Sequence, residues 1–491
     1  MLAQFSRDWM GRYWITRLIY QRGLAVIYLI AFLVALNQFP ALLGEHGLLP
    51  ARLFVRQVSF AQSPSLFFFL PTEVAFRTAA WLGIILSVTA VTGLSERYSN
   101  WLSASVWALL WILYLSFVNV GQTFYAFGWE SILLEAGFFA IFLGARKTEP
   151  SWIMMLILRW VLFRVMFGAE LIKLRGDPCW RDLTCLNYHY ETQPMPGPLS
   201  WYFHWSPEWT HKGGVLFNHF AELVVPFGYF GPQRAATVAG LCTILFHVVL
   251  MATGNLSWLN LLTIVLAFSA LNDTFLSRVL RVNVIEIHEL PRFQRVAVAA
   301  VAALTALLSV PPILNMLSRQ QVMNANYNPF HLVNTYGAFG GITRTRFEVI
   351  VEGTEDMAVS ESTRWREYEF KGKPGDPTRR PPQIAPYHLR LDWLMWFAAM
   401  SSYDQEPWFV HFVAQLLHGD LATLALIRTN PFPDRPPHFI RALLYEYHFT
   451  TPRERKETGR WWVRRLNGTY FPSMSLDNPA FRQLLKQEGW M

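Results

Sequence analysis

The stretch Gly168–His204, GAELIKLRGDPCWRDLTCLNYHYETQPMPGPLSWYFH, decides how this chain is read. It begins inside an apolar run and leaves it at Lys173. It then continues through about 40 polar and aromatic residues before the next apolar run, too long for a tight connection. Two of the three cysteines, Cys179 and Cys185, fall in it, among Trp180, Tyr188, His189 and Tyr190. Apolar runs lie on both sides, and a water-soluble composition follows the last of them. The stretch therefore reads as a long loop, residues 173–212, presented by a bundle of membrane helices.

Composition supports lipid as part of the solvent. The 491 residues are 53% hydrophobic and only 15% charged, against about 25% charged in ordinary soluble domains. Apolar runs near 24–43, 73–94, 101–120, 124–144, 151–172, 214–231, 235–253, 257–271 and 296–316 approach the roughly 20 residues that a membrane helix needs. The runs at 214–231 and 257–271 are the weakest, being short or interrupted by polar residues. The segment before the first run carries Arg7, Arg12 and Arg17 among aromatics, as an interfacial lead-in would. Arg97, Arg146, Lys147, Arg234, Arg278 and Arg281 fall in every second connection, the positive-inside pattern. By that rule the 173–212 loop and everything after Met316 are extracytoplasmic. The net charge of +8 is spread over helix ends, whereas nucleic-acid binding needs basic residues gathered on one face; no nucleic acid is expected.

After residue 317 the pattern changes. Arg346–Glu352 and Trp365–Phe370 alternate as strands do. KGKPGDPTRRPP, residues 371–382, is a loop. Helical patterns recur at 391–400, 407–419 and 478–488, and aromatic-rich strands are expected near 440–449 and 460–470. The fold class predicted is an integral membrane α-helical bundle (1–317) of about eight or nine transmembrane helices, followed by an extracytoplasmic α+β domain (318–491). The tripeptide Asn-Pro-Phe at 328–330 and 430–432 marks two turns, and Gly337, Gly340 and Gly341 read as turn glycines.

Ionisable residues within apolar runs are the first candidates for function, because burying charge in a membrane is costly. Glu170 and Lys173 are three apart and share a helical face. Asn218, His219 and Glu222 lie within about one turn. Arg159, Arg164, Glu130, Glu135 and His247 are the others. Interhelical ion pairs account for them; the sharper alternative is a polar pocket in which a desolvated Lys173 works as a base, tuned by Glu170, His219 or Glu222. His219 with Glu222 falls short of the three or four ligands zinc needs, and no metal or cofactor is expected. Cys179 and Cys185 either form a disulfide pinning the loop or stay reduced among aromatics. Asp177, Trp180, Asp182, His189 and Gln193 complete the loop's candidates. Trp365, Trp393, Trp408 and Trp461 are either core residues or a client-binding face.

The loop KLRGDPCWRDLTCLNYHYETQPMPGPLSWYFH, the helix NHFAELVVPF, and the blocks NPFHLVNTYGAFGGITRTRFEVIVEG, APYHLRLDWLMWFAAM and NPFPDRPPHFIRALLYEYHFT resemble the lipase maturation factor family across nearly the whole chain. The resemblance implies a multi-span protein of the endoplasmic reticulum membrane whose lumenal C-terminal domain engages secreted client lipases. These clients are homodimeric lipases such as lipoprotein lipase, and the activity is folding or maturation without turnover chemistry. The helix ending at Lys173 followed by Trp180 is also similar, over a short span, to the membrane domain of vitamin K-dependent γ-carboxylases, which would make Lys173 a catalytic base. The Arg-rich composition and the ending KQEGWM suit a bacterial homologue, with the C-terminal domain in the periplasm. Sequons stand at Asn255, Asn272 and Asn467. A transporter is disfavoured, because no inverted repeat is visible.

Overall fold

The computed structural model describes residues 11–282, 286–487 and 490; the start of the Arg-rich lead-in, with Arg7, and residue 488 of the last helical pattern lie outside them. The N-terminal part comprises α1 (Trp14–Leu43), α2 (Glu73–Thr92), α3 (Asn100–Val120), α4 (Gly128–Ala140), α5 (Trp152–Gly176), α6 (Glu208–His219), α7 (Val225–Gly228), α8 (Gln233–Thr253), α9 (Leu259–Ala267), α10 (Asp273–Val279), α11 (Arg292–Leu308) and α12 (Val310–Leu317). The starts follow local chemistry: the Thr72, Ser99 and Ser151 side chains each accept a backbone N–H of the first turn, satisfying donors that no helix end can satisfy itself. Gly93 ends α2 in the left-handed region at φ 81°, which a residue with a Cβ adopts only under strain.

Among the described residues six helices are long and apolar enough to cross a membrane: α1, α2, α3, α5, α8 and the α11–α12 pair. A seventh crossing arises if α9 and α10, bent by 115°, count as one span. This falls short of the eight or nine expected. The 124–144 run gives only the 13-residue α4, which at 1.5 Å per residue cannot cross a core of about 30 Å. The 214–231 run belongs to a continuous helical segment from Glu208 to Gly228 with a π-turn at Phe220–Val224, and polar groups occupy its inner side.

The connections expected to share one face do meet. The Arg17 guanidinium donates to the carbonyls of Thr148 (2.5 Å) and Arg146 (3.0 Å). Arg146 N–H donates to Glu96 O (2.9 Å), and Trp14 N–H to Asp273 (2.8 Å). The C-terminal region packs on the other end of the bundle. Gln38 donates to His388 O (2.7 Å), Asn119 to Pro329 O (3.0 Å), Asn255 to Pro382 O (2.9 Å) and Trp201 to Thr450 O (2.8 Å).

That region holds a four-stranded antiparallel sheet in the order β2-β1-β5-β6, with β1 Arg346–Thr354, β2 Arg366–Glu367, β5 Phe439–Phe449 and β6 Trp462–Met474. β3 (Glu369–Phe370) pairs with β4 (Ile427–Thr429) in a second, smaller sheet. β1 and β5 pair from Arg346 opposite Tyr447 to Thr354 opposite Phe439. The longest helices are α13 (Arg390–Ala398), α14 (Pro407–His418) and α15 (Pro479–Gln487). The alternating charged residues of β1 do not face solvent: Arg346, Glu348 and Glu352 are all buried. Their charges are matched by Arg346–Glu348 (2.5 Å), Lys373–Glu348 (2.8 Å) and Arg441–Glu352 (2.8 Å). One apolar cluster joins Leu24, Trp107 and Leu158 of the bundle to Val349, Leu391 and Phe412, so packing is continuous across residues 317 and 318. Both Asn-Pro-Phe tripeptides form turns in which the Asn side chain accepts the Phe N–H, at 3.2 Å in the first and 2.9 Å in the second.

Candidate functional site

The 173–212 segment is not an open loop. α5 runs on to Gly176, and short helices follow at Pro178–Arg181, Leu186–Thr192 and Ser200–His204 before α6 begins at Glu208. Asp177 starts the first of these by accepting Cys179 N–H (3.0 Å). It also holds Arg344 (2.8 Å) and Ile342 N–H (3.1 Å) from the C-terminal region. The Arg344 bond is the main cause that pulls its carboxyl down to about 2. Cys179 and Cys185 are joined in a disulfide with their Cα atoms 4.8 Å apart. Trp180 donates its indole N–H to Phe339 O (2.9 Å). Gln193 donates to Thr253 O (2.9 Å) and Ser200 Oγ (3.2 Å), and Arg346 binds its carbonyl. Asp182 lies exposed on the turn. Gly337 and Gly340 are not turn glycines. A Cβ on Gly340 would stand 2.5 Å from Ile172 Cγ2, and one on Gly337 would stand 3.1 Å from Ile172 Cγ1. Small residues there let residues 336–341 lie directly on α5.

Four of the predicted site residues come together on facing helices. Lys173 and Glu170 occupy the last turns of α5. Asn218 and His219 end α6, and Glu222 sits in the π-turn. Pro226 has no N–H to offer the Glu222 carbonyl, and π-turns arise where the ordinary ladder is interrupted. Lys173 Nζ donates to Glu222 Oε2 (2.5 Å) and Asn218 Oδ1 (2.9 Å), and lies 3.7 Å from Glu170. Asn218 Nδ2 donates to Glu170 (2.6 Å). His219 Nδ1 meets the other Glu170 oxygen, while its Nε2 meets Trp180 O at 3.0 Å. Lys173 Nζ also stands 5.1 Å from the Trp180 ring centroid. Glu170, Lys173, Glu222 and Asn218 are all buried.

Both nitrogens of His219 face oxygens, one of the Glu170 carboxyl and one of the Trp180 carbonyl. Burial raises the Glu222 carboxyl to about 8, against the pull of Lys173 beside it. The arrangement is an interhelical ion-pair knot. Of the other intramembrane cations, Arg164 pairs with Glu135, whereas Arg159 is held by neutral groups, the carbonyls of Ser269 and Tyr229 (both 2.9 Å) and the Tyr13 hydroxyl (2.8 Å). Glu130 pairs with Arg390 of α13 at 2.8 Å.

Beside the knot lies a cavity of about 560 Å³ between α5, α6, α8, residues 186–190, residues 336–341 and α13. Lys173, Asn218, Glu222, His189, His247 and Asn260 reach it; the rest of its wall is largely apolar. Burial, with Lys173 adding to it, lowers His189 to about 4, so its ring is neutral at pH 7. Asn260 was not anticipated from sequence, because a lone Asn in an apolar run carries no pattern. No group of three or more His, Cys, Asp or Glu among the described residues could hold a metal. Of the four tryptophans given as core residues or a client face, most are taken up by packing. Trp393, Trp408 and Trp461 are buried, and Trp365 is half-buried beneath Arg441, whose guanidinium lies 4.1 Å from its ring.

The same segment docks on the sheet through a pH-sensitive contact. Glu191 accepts His448 Nδ1 (3.0 Å) and Phe449 N–H (2.7 Å), and His448 Nε2 faces Glu446 (3.0 Å). The Glu191 bond is the main cause raising His448 to about 9, against partial burial and with help from Glu446. A raised folded-state pKa stabilises fully below the unfolded value near 6.5 and is lost as pH rises through 9. The melting temperature of purified protein is therefore expected to fall between pH 6.5 and 9, with a shallower fall in His448→Gln. Equal slopes in both proteins would contradict the assignment.

Fold and site together define a multi-span membrane protein whose helical bundle carries a strand-containing C-terminal region on one end. The chain belongs to the lipase maturation factor family. The model of the lipase maturation factor transmembrane domain matches residues 15–278, and that of the C-terminal domain matches residues 332–472. It is 43% identical to lipase maturation factor 1 of Homo sapiens over 98% of this chain and 91% of that protein. It is 44% identical to the Bos taurus protein of that name, over 95% and 90%, and 31% identical to lipase maturation factor 2 of Xenopus laevis, over 98% and 85%. No solved structure matches the chain. The short similarity to γ-carboxylases gains no support from these comparisons. Nor does the bacterial placement, since the relatives named are animal proteins.

Proposed function

We propose that this chain is a membrane-bound maturation factor for secreted lipases, acting on the client through its C-terminal region without turnover chemistry of its own. The observation that carries the reading is the family match, which covers both the bundle and the region seated on it. The ion-pair knot at Lys173 is consistent with it, because Lys173 is held by Glu222 and Asn218 and ties α5 to α6. Orientation follows from charge: the connections rich in Arg and Lys meet at one end of the bundle, the cytoplasmic end by the positive-inside rule. The C-terminal region then faces the lumen of the endoplasmic reticulum, or the periplasm in a bacterial host. The Cys179–Cys185 disulfide suits either oxidising compartment.

Photocrosslinking tests partner and orientation together. A photoreactive residue at Leu466, exposed on the edge strand β6, is expected to capture a co-expressed secreted lipase. The same residue at Tyr98, exposed on the connection between α2 and α3, is expected to capture none. Lipase adducts at Tyr98, or at neither position in a protein that inserts normally, would overturn the proposal.

A further inference from the structure

The cavity beside Lys173 holds polar groups that the protein itself does not satisfy. His189 is 9% exposed and lines the cavity; its ring nitrogens make no hydrogen bond to any described residue and stay open to the cavity. Asn260 is 2% exposed; its Oδ1 meets His247 Nδ1 (3.0 Å), and its amide nitrogen donates to no described residue. Leaving buried donors and acceptors unpaired is costly, and buried polar groups that converge on a concave apolar space are the usual mark of a ligand site. A volume of about 560 Å³ is within the ordinary range for small-molecule sites.

Three features define the ligand. The wall facing these groups is apolar, with Met166, Ala169, Phe217, Phe246, Leu250 and Trp396. Lys173, the nearest cation, is already matched by Glu170 and Glu222, so nothing is left to hold an anionic head. The large lining side chains that reach the outside are Val249, Met323 and Phe397, all apolar. Val249 stands with the exposed Leu245 and Val248 on α8, the outer side of a membrane-spanning helix, so this side of the cavity opens toward lipid. We propose that this cavity binds an uncharged lipid amphiphile taken from the bilayer. A hydroxyl or carbonyl head satisfies His189 and Asn260, and its hydrocarbon lies along α5, α6 and α8. The site would place a neutral lipid where the bundle, the 173–212 segment and the C-terminal region meet, and it does not depend on the identity of the client.

The test uses the full-length protein in lipid nanodiscs, a diazirine-bearing monoacylglycerol, and a diazirine-bearing fatty acid of the same chain length. Adducts of the monoacylglycerol are expected at residues 246–250 or 393–397. They should be displaced by unlabelled monoacylglycerol and at least about tenfold weaker with the fatty acid, which carries a charge the site cannot match. His189→Phe, which keeps an apolar ring and removes the nitrogens, is expected to weaken saturable labelling by about twofold to tenfold, the worth of one hydrogen bond. Ala169→Phe should fill the space and abolish it. Labelling that does not saturate, or that is confined to outward residues such as Val238 and Leu241, would overturn the proposal, as would equal labelling by the fatty acid. The competition experiment on unmutated protein decides even if a variant fails to fold.

Discussion

Replacing Arg390 by methionine is expected to cost about 3–5 kcal/mol of stability, the penalty for stranding one partner of a buried ion pair. Arg390 is fully buried and stands 2.8 Å from Glu130, which is also fully buried. It also donates to Phe124 O (2.6 Å), while its own N–H binds Gln38 (3.0 Å). With Arg390 gone, Glu130 retains the Tyr114 hydroxyl and a histidine, His388, at 3.8 Å. Burial, with Arg390 beside it, lowers His388 to about 4, so that histidine is neutral in the native protein. Thermal unfolding in detergent should show the loss in Arg390→Met and a large recovery in Arg390→Met/Glu130→Gln. A single variant as stable as the parent would mean that the C-terminal region is not anchored through this pair. The pair also bears on truncation, because removing residues 318–491 takes away the only cation paired with Glu130 among the described residues. Loss of function in such a truncation would not by itself locate the client site.

The second large effect is expected at Lys173. Lys173→Met leaves Glu170 and Glu222 buried and facing each other across α5 and the π-turn, again a loss of about 3–5 kcal/mol. Replacing both partners with apolar residues of similar length is often neutral, so Lys173→Met/Glu222→Met should regain most of the stability. A double variant that folds and still matures its client assigns Lys173 to holding the helices together. A double variant that folds but has lost maturation would return the lysine to a chemical role.

The parts of this fold that were legible in the sequence are those set by local periodicity. Apolar runs of membrane length marked α1, α2, α3, α5 and α8, and the Arg-bearing connections between them do meet at one end. Strands β1, β5 and β6 and helices α13 to α15 lie close to where alternation and helical spacing put them. The misreadings have a common cause in long-range packing. The 173–212 segment looked irregular because its helices of four to seven residues are too short to be stable alone and form only against neighbours. Gly337 and Gly340 looked like turn residues because nothing local reveals that α5 passes beneath them. Glu130 was visible as a costly charge, but its partner lies 260 positions away, beyond any pattern in one sequence. The grouping of Glu170, Lys173, His219 and Glu222 was legible because each pair sits within a turn of one helix. His189 was visible only as one polar residue among many, and its unpaired ring emerges only once the cavity closes around it.

The most direct test is the specific activity of a secreted lipase made in cells that lack their own maturation factor. Expression of this chain should raise that activity at unchanged lipase protein level. Lys173→Met/Glu222→Met should do the same, and no lipase activity should appear from the chain alone. Lipase that stays inactive beside a correctly inserted and abundant chain would contradict the assignment of lipases as its clients.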